Sequence, residues 1–173
     1  MGSGWMLDCW NMVFTPRDKE NIVSYSFPEF ILNGHPLKYV SKFCYLGHVI
    51  TNTLSDENDI HREIRIMYIR ANMLFCKFNK CSIRVFRSYC ICLYGIALLK
   101  KYTKTCLDKF KMCYHRCIRL FFGYSTMHNV TEILFELGLP SFNTLVHNSR
   151  VIYRTQIANS TNDILMHFRL LGF

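Results

Sequence analysis

Apolar residues that recur every three or four positions between residues 60 and 121 commit the middle of this chain to helices. Ile60, Ile64, Tyr68, Ala71, Phe75 and Phe78 form the first stripe. Ahead of it, Ser55 and Asp56 are N-cap candidates, and Asp56, Glu57 and Asp59 suit the positive end of a helix dipole. The spacing predicts a first helix ending near Asn79, a second over residues 82–98 and a third over residues 103–122. The second turns Val85, Phe86, Tyr89, Cys90, Leu93 and Tyr94 inward, and Gly95 within it permits the close approach of another helix. The third presents Leu107, Phe110, Tyr114, Cys117, Ile118 and Phe121, with Gly123 as its stop. Weaker signals place a short helix over residues 130–137 with a stop at Gly138. A helix capped by Ser141 then runs to about residue 158, and a last piece covers residues 162–170.

The first fifty residues have a different texture. Met12-Val13-Phe14 and Phe30-Ile31-Leu32 are short β-like runs, and Asn33-Gly34 is a strong hairpin signal. A further segment begins at Leu37, and Phe43-Cys44-Tyr45-Leu46-Gly47-His48-Val49-Ile50 is a β-rich run broken only by a glycine. Three or four strands are expected. The fold class is therefore α+β and mostly α: a short antiparallel sheet followed by a helical bundle. The segments are 1–54, 55–125 and 126–173.

The charge is concentrated. Residues 60–123 hold 14 Lys or Arg against two acids, Glu63 and Asp108, a local net of +12, whereas the remainder nets −3. Such a surface attracts anionic partners, nucleic acid foremost. Arg62, Arg65 and Arg70 fall mostly off the first apolar stripe; Lys104, Lys111, Arg116 and Arg119 occupy the polar surface of the third helix. These seven are the candidate phosphate contacts. The longest nearly uncharged apolar run, residues 89–99, is too short for a bilayer span.

Nine cysteines sit largely in apolar stretches, Cys76, Cys90, Cys92, Cys106, Cys113 and Cys117 among them. They read as reduced thiols of an intracellular protein, nuclear or cytoplasmic. Residues 1–10 lack the pattern of a secretory signal. Cys113 and Cys117 share a helix face without a second ligand pair, so two core thiols are a better reading than zinc. No nucleophile motif or phosphate loop is present.

Lys42-Phe43-Cys44-Tyr45-Leu46-Gly47-His48-Val49-Ile50 resembles the primer-grip segment of reverse transcriptases of LINE-type (non-LTR) retrotransposons, where an aromatic-Leu-Gly turn leads into an apolar strand. Met12-Val13-Phe14 with Asn33-Gly34 looks like the strand and hairpin between the catalytic palm motif and the grip. The stretch from Asp59 through Arg62-Glu63-Ile64 to Asn72 is similar to the first thumb helix, and Leu93-Tyr94-Gly95 to the end of the next. Arg119-Leu120-Phe121-Phe122-Gly123 and Leu137-Gly138-Leu139-Pro140-Ser141 resemble the tail region of these polyproteins.

The resemblance implies a thumb-like bundle that holds a template-primer duplex of RNA or DNA. Tyr45, Leu46 and Gly47 would form the grip, Gly47 giving the turn its freedom and Tyr45 and Leu46 wedging it in place. The family's activity is RNA-directed DNA polymerisation with magnesium on paired aspartates. This chain has no Asp-Asp pair; Cys9-Trp10-Asn11 stands where the family has a lysine, and Leu98-Leu99 where it has a tryptophan. The chain thus reads as a truncated, diverged piece without its own catalytic centre, metal or other cofactor. The rival expectation is a retroelement-derived protein-interaction or structural domain, or a relic without function.

Overall fold

Why the N-terminal part pairs as it does follows from its turns. The structure, a computed structural model, describes residues 10–15, 26–78, 81–91, 93 and 95–163. Strands β2 (Ile31–Leu32) and β3 (His35–Pro36) pair antiparallel across Asn33 and Gly34, whose φ values of 52° and 79° make a type I′ turn. Strands β5 (Lys42–Tyr45) and β6 (His48–Thr51) pair antiparallel with Tyr45 opposite His48. The run over residues 43–50 is therefore a hairpin, folded back at Leu46-Gly47. The third ladder departs from expectation. Strand β1 (Trp10–Asn11) precedes the predicted Met12-Val13-Phe14, and it pairs parallel to β4 (Lys38–Tyr39). Thr15 N–H then donates to Asn52 O at 2.8 Å, tying the segment after β1 to the end of β6.

Five helices follow: α1 (Glu57–Lys77), α2 (Ile83–Cys90), α3 (Lys104–Phe122), α4 (Val130–Glu136) and α5 (Phe142–Ala158). The ends of α3 are where the sequence puts them. Thr103 accepts from Cys106 N–H, and Gly123 closes the helix at φ 73°. Ser141 likewise caps α5. Asp56 is the N-cap of α1, but its side chain makes no cap bond there; it accepts instead from the Lys100 and Lys101 N–H groups at 2.7 Å. That bond fixes the segment before α3 to the start of α1.

Helix α2 is shorter than predicted. It stops at Cys90, and residues 95–98 form turns. Gly95 lies there with φ 75°, and a Cβ on it would sit 2.1 Å from His48 Cε1. The expectation of a close helix–helix approach at Gly95 is not met: the residue lies in a turn outside any helix, and what approaches it is His48 of strand β6. Val85 and Tyr89, predicted inward, are exposed, while Phe86 and Cys90 are buried. Tyr94, Cys92, Cys9, Asn79 and most of residues 162–170 lie outside the described residues.

The core is built on α3. Phe110, Cys113, Tyr114, Cys117 and Ile118 are almost fully buried, packed with Ile60, Ala71, Phe86 and Phe142. Cys106 Sγ approaches Glu57 O at 3.9 Å and Cys113 Sγ approaches Ile64 O at 3.7 Å, both 49 residues apart in sequence. Equal offsets seven residues apart mean that α1 and α3 run parallel, side by side. Tyr114 Oη donates to Pro140 O at 2.7 Å, which ties the segment before α5 to α3. None of the described cysteines is in a disulfide; Cys76, expected in an apolar setting, is exposed.

The inward stripe of α1 also differs. Ile60, Met67, Ala71 and Leu74 are buried with Asp59 and Glu63, whereas Tyr68, Phe75 and Phe78 are exposed and Ile64 is only partly covered. The buried face is rotated from the predicted one because two carboxylates lie on it, held there by His48 and Arg62.

Candidate nucleic-acid interface

Helix α1 has two unlike flanks. On one, Asp59 accepts from His48 Nδ1 at 2.8 Å, Val49 N–H at 2.9 Å and Arg62 Nε at 2.7 Å. Arg62 Nη2 also donates to Glu63 Oε1 at 2.6 Å. Burial alone pushes the Asp59 carboxyl up, and the bonds from Arg62, His48 and Val49 outweigh it, holding the group below the usual carboxylate range. Burial dominates at Glu63 and raises it despite Arg62. The network docks the β5–β6 hairpin on α1, with Gly95 against the histidine ring. Arg62, expected to face a ligand, is committed to two carboxylates. A buried carboxylate needs a cation within reach, and the nearest one in sequence supplies it.

The other flank borders α3 and carries a groove of about 740 Å³. His61, Ile64 and Tyr68 line it from α1, and Lys109, Met112, Arg116, Arg119 and Leu120 from α3, with Tyr124 and Thr126 beyond. No carboxylate is among the lining residues. Burial and then the Cys113 thiol push the Tyr68 phenol up, so it stays neutral. His115 is held below its ordinary value by burial, then by Lys111 and Arg119, and adds no charge near neutral pH. Arg119 Nη2 donates to His128 O at 2.9 Å, whereas its buried Nε has no acceptor among the described residues. The guanidinium is thus fixed in place with one donor unmet.

The seven predicted cations separate on this geometry. Arg116 and Arg119 line the groove. Arg65 is exposed one helical step from His61 and Tyr68, at the rim. Lys104 and Lys111 lie on the other shoulder of the solvent face of α3, more than a quarter turn from Arg116. Arg62 and Arg70 lie on the Asp59 flank, and Arg70 contributes to the field at Glu63. Lys109 was missed; its spacing of seven from Arg116 on one helix was the available signal.

The Tyr45-Leu46-Gly47 turn stands apart from the groove, on the hairpin docked to the Asp59 flank. Gly47 has φ 82°, the freedom expected of it, and Leu46 has φ 47°. Leu46 is 83% exposed and Tyr45 56%, so neither wedges the turn. Tyr45 only stacks on Phe43, ring centroids 6.4 Å apart. A leucine in a left-handed conformation with nothing packed on it is local strain without a folding benefit.

The described residues contain no group of three His, Cys, Asp or Glu side chains placed to hold a metal ion. With no Asp-Asp pair in the sequence, the residues present do not fit the divalent ions of a polymerase centre. Cys113 and Cys117 are buried one helical turn apart on α3, and the proximity of the two groups holds the Cys113 thiol below its ordinary value and pushes the Cys117 thiol up. Among the described residues no helix is long and apolar enough to cross a membrane. The chain matches no family model, no curated protein and no solved structure.

Proposed function

We propose that this chain is the primer-grip and thumb part of a LINE-type reverse transcriptase, and that it binds RNA or DNA through phosphate contacts along the α1–α3 groove without a catalytic centre of its own. The observation that carries the binding is the groove's composition. Lys109, Arg116 and Arg119 border a largely apolar floor that no carboxylate lines, and the exposed Arg65 stands one helical step from the lining residues His61 and Tyr68. The order of hairpin, long helix and basic helix supports the family reading, since it is the order that the sequence landmarks lead one to expect. Phosphate contacts position a strand without reading bases, so sequence preference is weak. Tyr68, Met112 and Leu120 offer a sugar or base apolar surface between the cations.

Salt-dependent binding of labelled RNA and DNA tests the reading. With four cations engaged, the slope of log affinity against log salt is about −3.6 on duplex DNA and about −2.8 on a single strand. Absence of salt-dependent binding at low ionic strength refutes it. Primer extension on poly-rA with oligo-dT and Mg²⁺ gives no incorporation above a heat-killed control.

A further inference from the structure

The α5 side of the molecule has a second cation-lined cavity that shares no residue with the α1–α3 groove. It encloses about 710 Å³, within the range of small-ligand sites. Leu99, Lys100 and Tyr102 line it from the segment before α3, and Arg150, Tyr153, Arg154 and Ile157 from α5. Residues 150, 153, 154 and 157 recur at helical spacing and so share one face. Arg150 Nη2 donates to Leu99 O at 3.4 Å and to the Tyr102 hydroxyl, and its guanidinium carbon lies 6.0 Å from the Tyr102 ring centroid. One cation is thereby fixed against one aromatic ring.

Among the described residues, no ion pair engages Lys100, Arg150 or Arg154. No carboxylate lines the cavity. Asp56, bonded to the same segment, is already engaged by the Lys100 and Lys101 N–H groups. Because the Tyr102 oxygen accepts from Arg150, its own hydrogen is available to a ligand. Three cations without an acid call for a strong anion. Two phenols beside Ala97, Leu99, Ile157 and Ala158 call for a flat group with polar edges on the same molecule.

We propose that this cavity binds a phosphorylated nucleoside, with the phosphates on Lys100, Arg150 and Arg154 and the base against Tyr102 and Tyr153. The nucleoside comes either as a nucleotide in solution or as the phosphorylated end of a strand; the recognition chemistry is the same. Calorimetric titration of the full chain at low salt tests the assignment, with four probes: ATP, inorganic triphosphate, and oligo-dT with and without a terminal 5′-phosphate. Wild type binds ATP, or the chain with its groove disabled by Arg65→Glu and Arg116→Glu binds oligo-dT only with its phosphate, which identifies the source.

Lys100→Glu with Arg154→Glu weakens the bound probe by about tenfold or more. Arg154→Lys retains most of the affinity. Tyr153→Ala weakens nucleotide binding roughly tenfold and leaves inorganic triphosphate unchanged. Both cations and Tyr153 are off the buried core, and far-ultraviolet circular dichroism verifies the fold of each variant. Three results overturn the proposal: no binding of either phosphorylated probe, unchanged affinity in the double variant, or triphosphate binding as tightly as ATP. Arg65→Glu with Arg116→Glu, which cripples the groove, leaves ATP binding intact, so the two sites fail separately.

Discussion

The two flanks of α1 carry similar residues and do opposite things. On the Asp59 flank a basic side chain is neutralised: Arg62 meets two carboxylates, and His48 and Val49 complete the set. On the α3 flank the basic side chains line a groove that no acid enters. A count of Lys and Arg treats both flanks alike. What separates them is whether an acid lies within one helical turn and is itself buried. Asp59 and Glu63 are buried, so their cation becomes structural; Asp108 is exposed and lines no groove, so Lys109 and Arg116 keep their charge for something else.

The contrast can be broken from the Asp59 side with the largest effect. Asp59→Ala removes the acceptor of three bonds while leaving Glu63 and Arg62 in place, and is expected to cost about 3 kcal/mol of stability in urea unfolding. The folded-state pKa of Asp59 is depressed, so its contribution is present above the unfolded value and is lost as pH falls through the lower folded one. The wild type therefore loses stability below about pH 4, and Asp59→Asn flattens that limb. Glu63 has the opposite sign: its raised value makes ionisation a cost that acid relieves, so Glu63→Gln removes a small gain that precedes the loss.

Next in size is the effect on binding. Arg65→Glu with Arg116→Glu should weaken labelled RNA about tenfold at low salt. It should also flatten the salt slope by roughly 1.4 to 1.8, two contacts' worth. Arg62→Ala should leave that slope unchanged while lowering stability. Equal effects on the slope would erase the distinction between the flanks. The smallest effect is at the turn. Leu46→Asn places a residue tolerant of positive φ in a type I′ turn and should raise stability by about 0.5–1 kcal/mol. If the same change weakens RNA binding, the exposed leucine touches the strand and the hairpin joins the interface.

Much of this was legible in the sequence where one residue's own chemistry decides the backbone. Asn33-Gly34, Thr103, Gly123 and Ser141 each mark a turn or an end, and each is found there. The α3 stripe was readable because no charged side chain lies on its buried face. The α1 stripe was not, because a buried acid is invisible until its partner from β6 is in place. Tyr68, Phe75 and Phe78 then look like core although they are exposed. The end of α2 was missed for the same kind of reason. Gly95 serves a contact with His48, 47 positions away, and the pattern around it reads as unbroken helix. Of the candidate site, Arg116 and Arg119 were found from the charge pattern. The cavity residues Arg150 and Arg154 lie beyond the basic stretch, where local counting has nothing to flag.

The parallel pairing of α1 and α3 bears on how the molecule assembles. Two neighbouring helices that run the same way cannot zip together from a shared turn; the chain must first travel back along their length. The 49-residue separation of their contacts sets a loop-closure entropy of about 3.5 kcal/mol, by the (3/2)RT ln n scaling, before any of that interface is gained. The Asp56 carboxylate on the Lys100 and Lys101 amides sits where that loop shuts. Asp56→Ala should therefore slow refolding more than it speeds unfolding, marking the clasp as an early event and the helix pair as its consequence.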